Sequence, residues 1–440
     1  MDNPSTTSST PVTDAEQAGW QEIEEITRKL TEEFRIKDQT SKSRGYEISG
    51  MTCVLSSAYE IPTDNPAVLY TSQPRGSDYA VEFLLHGAAA KRELIEYPDY
   101  PQEPYRPSEL KERPYSIVEI SGKGLGMVAT KDLAPGDLIV AERPLLVAPR
   151  LLRTLGSVVF NDNATKEQQE AAKSFETEKT IRYAYDRMRP EDQAAYMKLH
   201  NAHLHDGSGP LFGIMRTNRY ALFDLQGETY TGVFEDLSRI NHSCCPNADR
   251  RFNRATLSMQ LFAARNIKKG EQITTSYCDL LAPYATRQLS LAPYGICCDC
   301  PACLDHVESD KNRLRISHLQ SAVPAIIKWA ANPALPDDLL LRPSLTMLEL
   351  LESEGLEATR HYAQVLYHSM LIYSALGESS TNECLHFMAR WAKLKRWDAG
   401  GSNPAERGKH DLEKVEIASF ARRLLATGEG AAVVFVTEVN

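Results

Sequence analysis

Seven consecutive positions, 297 to 303, hold Cys297, Cys298, Cys300 and Cys303, and no other feature limits the fold of this chain as much. Thiols crowded this closely either converge on a metal ion or oxidise. In Cys298-Asp299-Cys300-Pro301-Ala302-Cys303, three thiols fall within six residues and can face one centre. A structural zinc takes four tetrahedral nitrogen or sulfur ligands, so a fourth must come from elsewhere in the chain. Cys244 is the natural donor, with Cys245 and Cys297 as neighbouring alternatives. A redox-active cysteine set is the competing reading. The remaining cysteines are dispersed: Cys278 lies in the same region as Cys244 and Cys245, while Cys53 and Cys384 stand alone.

The start of the chain, MDNPSTTSSTPVTD, has neither a basic opening nor an apolar core, so no secretory signal is expected there. Crowded cysteines in an intracellular setting point to metal before disulfides. No stretch approaches the ~20 apolar residues that a membrane helix requires, so no membrane association is expected. The 59 acidic and 49 basic residues give a formal charge of -10 over 440 residues. A protein that grips nucleic-acid phosphates normally has the opposite sign, so direct nucleic-acid binding is not expected. An acidic enzyme can attract a basic peptide, although a charge of this size also serves plain solubility.

Along the chain, residues 1–44 read as a Ser/Thr/Pro-rich disordered tail followed by an amphipathic helix carrying Trp20, Ile23, Ile26, Leu30 and Phe34 on one face. Residues 45–113 read as an N-terminal extension or linker, with EYPDYPQEPYRPSEL too rich in proline for a regular element. From 114 to 290 short β-prone runs (YSIVEI, GMVAT, LIVAE, TLSMQLFAAR, QITTSYC) alternate with glycine turns, around a helical insert at about 150–220. Residues 291–306 hold the cysteine run. From 307 to 440 amphipathic helical pieces follow one another without a strict repeat.

Four segments concentrate chemistry. Lys123-Gly124-Leu125-Gly126 lies between two strands, where glycine permits a positive φ or a close backbone approach. It lacks the strand-to-helix setting of a dinucleotide fold, and a plain hairpin turn is the alternative. Asn241-His242-Ser243-Cys244 follows an apolar stretch, and burying so many polar groups without partners would be costly. In Gly270-Glu271-Gln272-Ile273-Thr274-Thr275-Ser276-Tyr277, period-two alternation gives Tyr277 a defined face. The cysteine run is the fourth. His200, His203 and His205 imitate a metal cluster but sit at a helix end, and DRRFNR and KLKRW are read as solvated faces.

These four segments, in this order, resemble the SET-domain protein methyltransferases, in particular the SMYD-like group in a fungal-type form without a MYND zinc finger. The resemblance spans about Tyr115 to Asp305 and includes RTNRYALFD in the insert. It implies an α+β fold: SET-domain β-sheets with a knot-like crossing and a helical insert, a zinc-bound post-SET segment, and an all-α C-terminal region. It further implies an S-adenosylmethionine-dependent protein-lysine N-methyltransferase acting on histone or non-histone protein. The alternative is a SET-fold interaction module with little or no methyl transfer.

By the resemblance, Lys123, Gly124, Leu125 and Gly126 contact the methionine end of the cofactor. Asn241 and His242 hold it, Asn218 adds a contact, and Tyr277 is the active-site tyrosine. Cys244, Cys298, Cys300 and Cys303 bind structural zinc. The family usually has an aromatic residue two positions before the first post-SET cysteine; here that position is Ile296, which keeps apolar contact and loses stacking. A monomer acting on a lysine-bearing protein or peptide, in the nucleus or cytoplasm, is expected.

Overall fold

The computed structural model describes residues 46–49, 53–55, 68–74, 80–101, 113–154, 157–160, 163–332, 334–377 and 380–395. The tail and amphipathic helix expected in 1–44 lie outside them. The chain divides into two compact units: one comprises residues up to Glu96 together with Pro144–Glu235, the other Tyr97–Arg143 together with everything from Asp236 onward.

The first unit is built on a six-stranded sheet in the order Tyr220–Leu225, Glu228–Val233, Leu146–Pro149, Val81–Leu85, Val68–Gln73, Cys53–Leu55. Val81–Leu85 pairs parallel with Leu146–Pro149 and antiparallel with Val68–Gln73. Every residue of Val81–Leu85 is buried. Helices Lys166–Tyr185, Pro190–Met197 and Pro210–Asn218 contribute Ile181, Tyr196 and Ile214 to a core shared with Tyr70, Leu84 and Leu146. Thr165 and Gln168 close a capping box at the start of the first of these helices. Glu178 accepts from the backbone N–H groups of Leu211 and Phe212, so a buried carboxylate meets the positive end of Pro210–Asn218.

The segment 45–113, read as an N-terminal extension or linker, contributes regular elements to this unit. Val68–Gln73, Val81–Leu85 and the helix Gly87–Ile95 come from that segment and enter the sheet. VLYTSQ ends in three polar residues and VEFLL carries a buried Glu82, so neither shows clean alternation although both strands are almost wholly buried.

The second unit carries two small sheets. One has the order Asn241–His242, Gln272–Thr275, Gly124–Ala129, Tyr115–Ile120; the other Ala248–Asn253, Ser258–Ala263, Leu138–Glu142. The two-residue strand Asn241–His242 pairs parallel with Gln272–Thr275, which pairs antiparallel with Gly124–Ala129 on its other side. After the cysteine run the described chain is helical. Helices Leu341–Ser353, Arg360–Leu376 and Thr381–Lys395 pack with Val323–Ala330 over Trp329, Leu351, Leu356, Leu366, Leu371 and Phe387. The α+β class expected from the sequence is the class observed, with a helical C-terminal region. Among the described residues no helix is long and apolar enough to cross a membrane.

Candidate functional site

All but one of the site residues expected from the sequence fall in the second unit, and the strand pairing explains why distant motifs meet. Asn241 stands opposite Thr274 and His242 opposite Thr275, and Ser243 N–H continues the ladder to Thr275 O at 3.0 Å. Asn247 fastens the far end of the same motif: its Nδ2 donates to Glu271 Oε1 (3.0 Å) and Gln272 O (2.9 Å), while its Oδ1 accepts from Thr274 N–H (2.9 Å). The near end is held by Glu142, whose carboxylate accepts from the backbone N–H groups of Asp236 and Leu237 at 3.0 and 2.9 Å. Asn247 is therefore satisfied locally, as buried polar groups require, whereas Asn241 Nδ2 of the same motif is not.

Tyr277 follows the strand Gln272–Thr275. Its N–H donates to His242 Nδ1 at 3.0 Å and its hydroxyl donates to Ile240 O at 2.5 Å. His242 Nε2 lies 3.3 Å from Cys244 Sγ. With Nδ1 accepting, Nε2 carries the proton, so one imidazole joins the tyrosine's backbone to a sulfur of the thiol cluster. The Tyr294 ring packs 5.6 Å from the Tyr277 ring, centroid to centroid. Ile296 sits half-buried just beyond Gly295, and the rings of His242 and Tyr294 both neighbour the Tyr277 ring, at 5.5 and 5.6 Å. Sequence reasoning passed over Tyr294 because only the position matching the family pattern was weighed.

Gly122 and Gly124 adopt φ of 71° and 65°, the left-handed region that turns Tyr115–Ile120 back into Gly124–Ala129. Gly126 is glycine for another reason. A Cβ there would come within 2.5 Å of Ile120 Cγ1, 2.8 Å of Gln272 Nε2 and 2.9 Å of Asn241 Nδ2. Two side-chain amides thus converge on this one glycine, and both amide nitrogens are buried with no hydrogen-bond partner among the described residues. Such an orphan costs ~1–3 kcal/mol unless a ligand supplies an acceptor. Gln272 had no assigned role in the sequence reading; its signal was the alternation that places it on the same strand face as Thr274. Lys123 is exposed, and its Nζ pairs with Asp299 Oδ1 at 2.7 Å, tying the turn to the cysteine run.

The sulfur atoms of Cys244, Cys298, Cys300 and Cys303 all lie within 4.8 Å of one another. Cys244 Sγ is 3.6 Å from Cys303 Sγ and 4.0 Å from Cys298 Sγ. Tetrahedral zinc with ~2.3 Å bonds places its sulfurs ~3.8 Å apart, so this donor set fits the ion. Locally, Cys300 caps the short helix Pro301–Leu304, and the N–H groups of Cys303 and Leu304 return to Cys300 O. Hydrogen bonds from Cys244, Cys245 and Cys298 hold the Cys300 thiol well below the ordinary range. Around the cluster, Gln288 Nε2 approaches Cys303 Sγ at 3.5 Å and the fully buried Arg313 donates to Cys244 O at 3.1 Å. Burial opposes the charge of Arg287, but the sulfurs of Cys244 and Cys303 outweigh it and raise its pKa. Of the two alternative ligands, Cys297 is exposed, and Cys245 is buried 3.8 Å from Arg313 Nη2.

Asn218 belongs to the first unit. It closes the helix Pro210–Asn218, spending both amide hydrogens on His200 O (2.7 Å) and Ile214 O (2.8 Å). Of the discounted histidines, His203 pairs with Asp206 at 2.7 Å.

Residues 124–278, which contain Tyr277, the orphaned amide pair and Cys244, match the family model described as SET domain. Over that segment the chain is similar to SET-domain proteins. The chain is similar to the histone-lysine N-methyltransferase set5 of Schizosaccharomyces pombe, 33% identical over 207 residues that cover 47% of this chain and 54% of the relative. It is also similar to the N-lysine methyltransferase SMYD2 of Gallus gallus, 35% identical over 129 residues covering 28% of this chain and 29% of the relative. The chain thus spans about half, or less, of the curated relatives it matches. Among solved structures, the Neurospora SET domain protein DIM-5, a histone lysine methyltransferase, is 17% identical with a TM-score of 0.21, covering 38% of this chain and 52% of that one. That likeness is too slight to add to the fold argument.

Proposed function

We propose that this chain is an S-adenosylmethionine-dependent protein-lysine N-methyltransferase, with Tyr277 as its catalytic residue. The observation that carries the reading is the pair of unpartnered amides, Asn241 Nδ2 and Gln272 Nε2, meeting over Gly126 on strands that adjoin Tyr277. The Lys123–Gly126 turn, Asn241 and His242 would hold the cofactor, with Ile296 as a further contact. S-adenosylmethionine supplies a methyl group activated on a positive sulfonium.

The chain's own residues would prepare the acceptor. A lysine has a pKa of ~10.4, so presenting its neutral amine at pH 7 costs ~4.6 kcal/mol. Desolvation against packed side chains disfavours the ammonium and lowers that cost, and the rings of Tyr277 and Tyr294 pack together at the site. With its proton committed to Ile240 O, the Tyr277 oxygen faces its surroundings as an acceptor and can orient a lysine nitrogen. Alignment of this kind supplies much of the rate in group transfer. Cys244, Cys298, Cys300 and Cys303 would hold a structural zinc that fixes the cysteine run and, through His242, the backbone of Tyr277.

The substrate class is a protein or peptide carrying a lysine, and the site of action is the nucleus or cytoplasm. The chain would work as a monomer, without nucleic-acid or membrane contact. The test is transfer of a radiolabelled methyl group from S-adenosylmethionine to core histones and to whole-cell protein. Label should enter lysine with the wild type and fall on the order of 10²-fold or more in Tyr277→Phe. Cofactor binding with no transfer to any protein would instead identify an interaction module.

A further inference from the structure

Cys278 lies outside the four-sulfur set, yet it stands against the same wall. Its sulfur, Cys244 Sγ and His242 Nε2 lie within 4.8 Å of one another. His242 Nε2 is 3.3 Å from Cys244 Sγ and 4.0 Å from Cys278 Sγ, so one imidazole edge touches both thiols. The backbone explains the approach. Asn241–His242 runs parallel to Gln272–Thr275 and the Ser243 N–H extends the pairing, which carries Cys244 alongside the segment ending at Cys278. The two sulfurs, within 4.8 Å of each other, reach bonding distance by a small side-chain rotation. The two thiols differ in access: Cys244 is fully buried, whereas Cys278 is partly exposed. An oxidant meets Cys278 first.

We propose that Cys278 is an oxidation site whose resolving partner is Cys244, so that hydrogen peroxide converts the pair to a disulfide and removes one ligand from the metal cluster. The proposal rests on the reading of Cys244 as a zinc ligand. In the first step the Cys278 sulfur attacks the peroxide, the O–O bond breaks, and a sulfenic acid and hydroxide form. In the second, the Cys244 sulfur attacks the sulfenic sulfur, the S–O bond breaks, and the S–S bond forms with release of a second hydroxide. Two thiols are oxidised, one peroxide is reduced to two waters once protons are counted, and the ion is left with three sulfurs. Because Cys278 follows Tyr277 directly, the new bond would also pull on the tyrosine's backbone. A thiol reductant reverses the step.

The test uses the full-length, reduced, zinc-loaded protein. Its zinc content is measured first, and one ion per chain is expected. Hydrogen peroxide is then added in a few equivalents. Zinc release is followed with a chromophoric chelator, and disulfides are mapped by mass spectrometry of unreduced peptides. We expect the wild type to release its zinc with a Cys244–Cys278 linked peptide, and Cys278→Ser and Cys278→Ala to hold theirs with release slowed at least about tenfold. Equal release from wild type and both variants would overturn the proposal, as would linked peptides confined to Cys298, Cys300 and Cys303. Two zinc ions per chain, the second lost in Cys278→Ser, would overturn it in favour of a metal at His242, Cys244 and Cys278. Absence of zinc from the reduced protein would refute the metal reading instead, and the peptide map would still decide whether Cys244 and Cys278 join.

Discussion

The thiol cluster and the helical core lie in the same unit and are held together by opposite means. The helical core is ordinary: Leu351, Leu356, Leu366 and Leu371 are fully buried, and the helix Arg360–Leu376 buries residues at the i, i+3, i+4 spacing that the sequence displays. Its parts need only be apolar and of the right size, and many substitutions would serve. The cluster draws Cys244 to Cys298 and Cys303 across 54 and 59 positions of chain, and its small core is made almost wholly of cysteines. Burying thiols and two arginines gains little from water exclusion, so this region depends on completed hydrogen bonds and, on the reading proposed above, on a bound ion. One region tolerates change in identity but not in volume. The other tolerates change in neither ligand number nor charge.

The largest expected effect separates the two regions outright. Cys300→Ser, or removal of metal with a strong chelator, should take zinc content from one ion per chain to none; structural zinc contributes ~10–16 kcal/mol of apparent folding free energy in small modules. Proteolysis should then cut first near the cysteine run while the helices Leu341–Ser353 and Arg360–Leu376 stay protected. Simultaneous loss of both would mean that the two regions fold as one cooperative piece. The converse change, Leu366→Ala, should cost ~2–5 kcal/mol in denaturant unfolding while zinc content stays at one ion per chain.

A pH series sharpens the contrast further. Burial pushes the pKa of His368 down to about 4, and its Nε2 accepts the Ala322 N–H at 3.2 Å, which a protonated ring could not do. Folding therefore prefers the neutral imidazole. That stability is fully present above the unfolded-state pKa of 6.5 and is lost as pH falls through about 4, by ~3 kcal/mol. The wild-type melting temperature should drop across this window more steeply than that of His368→Gln; parallel slopes would remove His368 from the explanation. The smallest effect is expected at Lys123→Ala. An exposed ion pair such as Lys123–Asp299 is worth ~0–1 kcal/mol, so cofactor affinity measured by calorimetry should change by less than about fivefold.

The same contrast governs what the sequence made legible. The helices after residue 307 and the strands between 115 and 142 announced themselves through periodicity and glycine turns, since each exposes one face. The thiol set was legible for a different reason: three cysteines within six residues leave few structural uses. The strands Val68–Gln73 and Val81–Leu85 were hidden because burial on both faces erases alternation. Gln272 and Tyr294 carry no signal in one dimension because a glutamine on a strand and an aromatic in a turn are commonplace, and Cys278, though near Cys244 and Cys245 in sequence, has no assigned role there. Only the pairing of Asn241–His242 with Gln272–Thr275 makes Gln272 and Cys278 informative, and that pairing is a property of the folded chain.

The most direct test of the cofactor site is calorimetric titration of S-adenosylmethionine into the wild type and Gly126→Ala, with circular dichroism to establish that both are folded. A methyl group at position 126 would sit 2.8 and 2.9 Å from the amides of Gln272 and Asn241 and displace both. The account predicts one site per wild-type chain and at least a tenfold loss of affinity in the variant, equivalent to ~1.4 kcal/mol or more. Equal affinity in the two proteins, or no binding by a folded, zinc-loaded wild type, would contradict it.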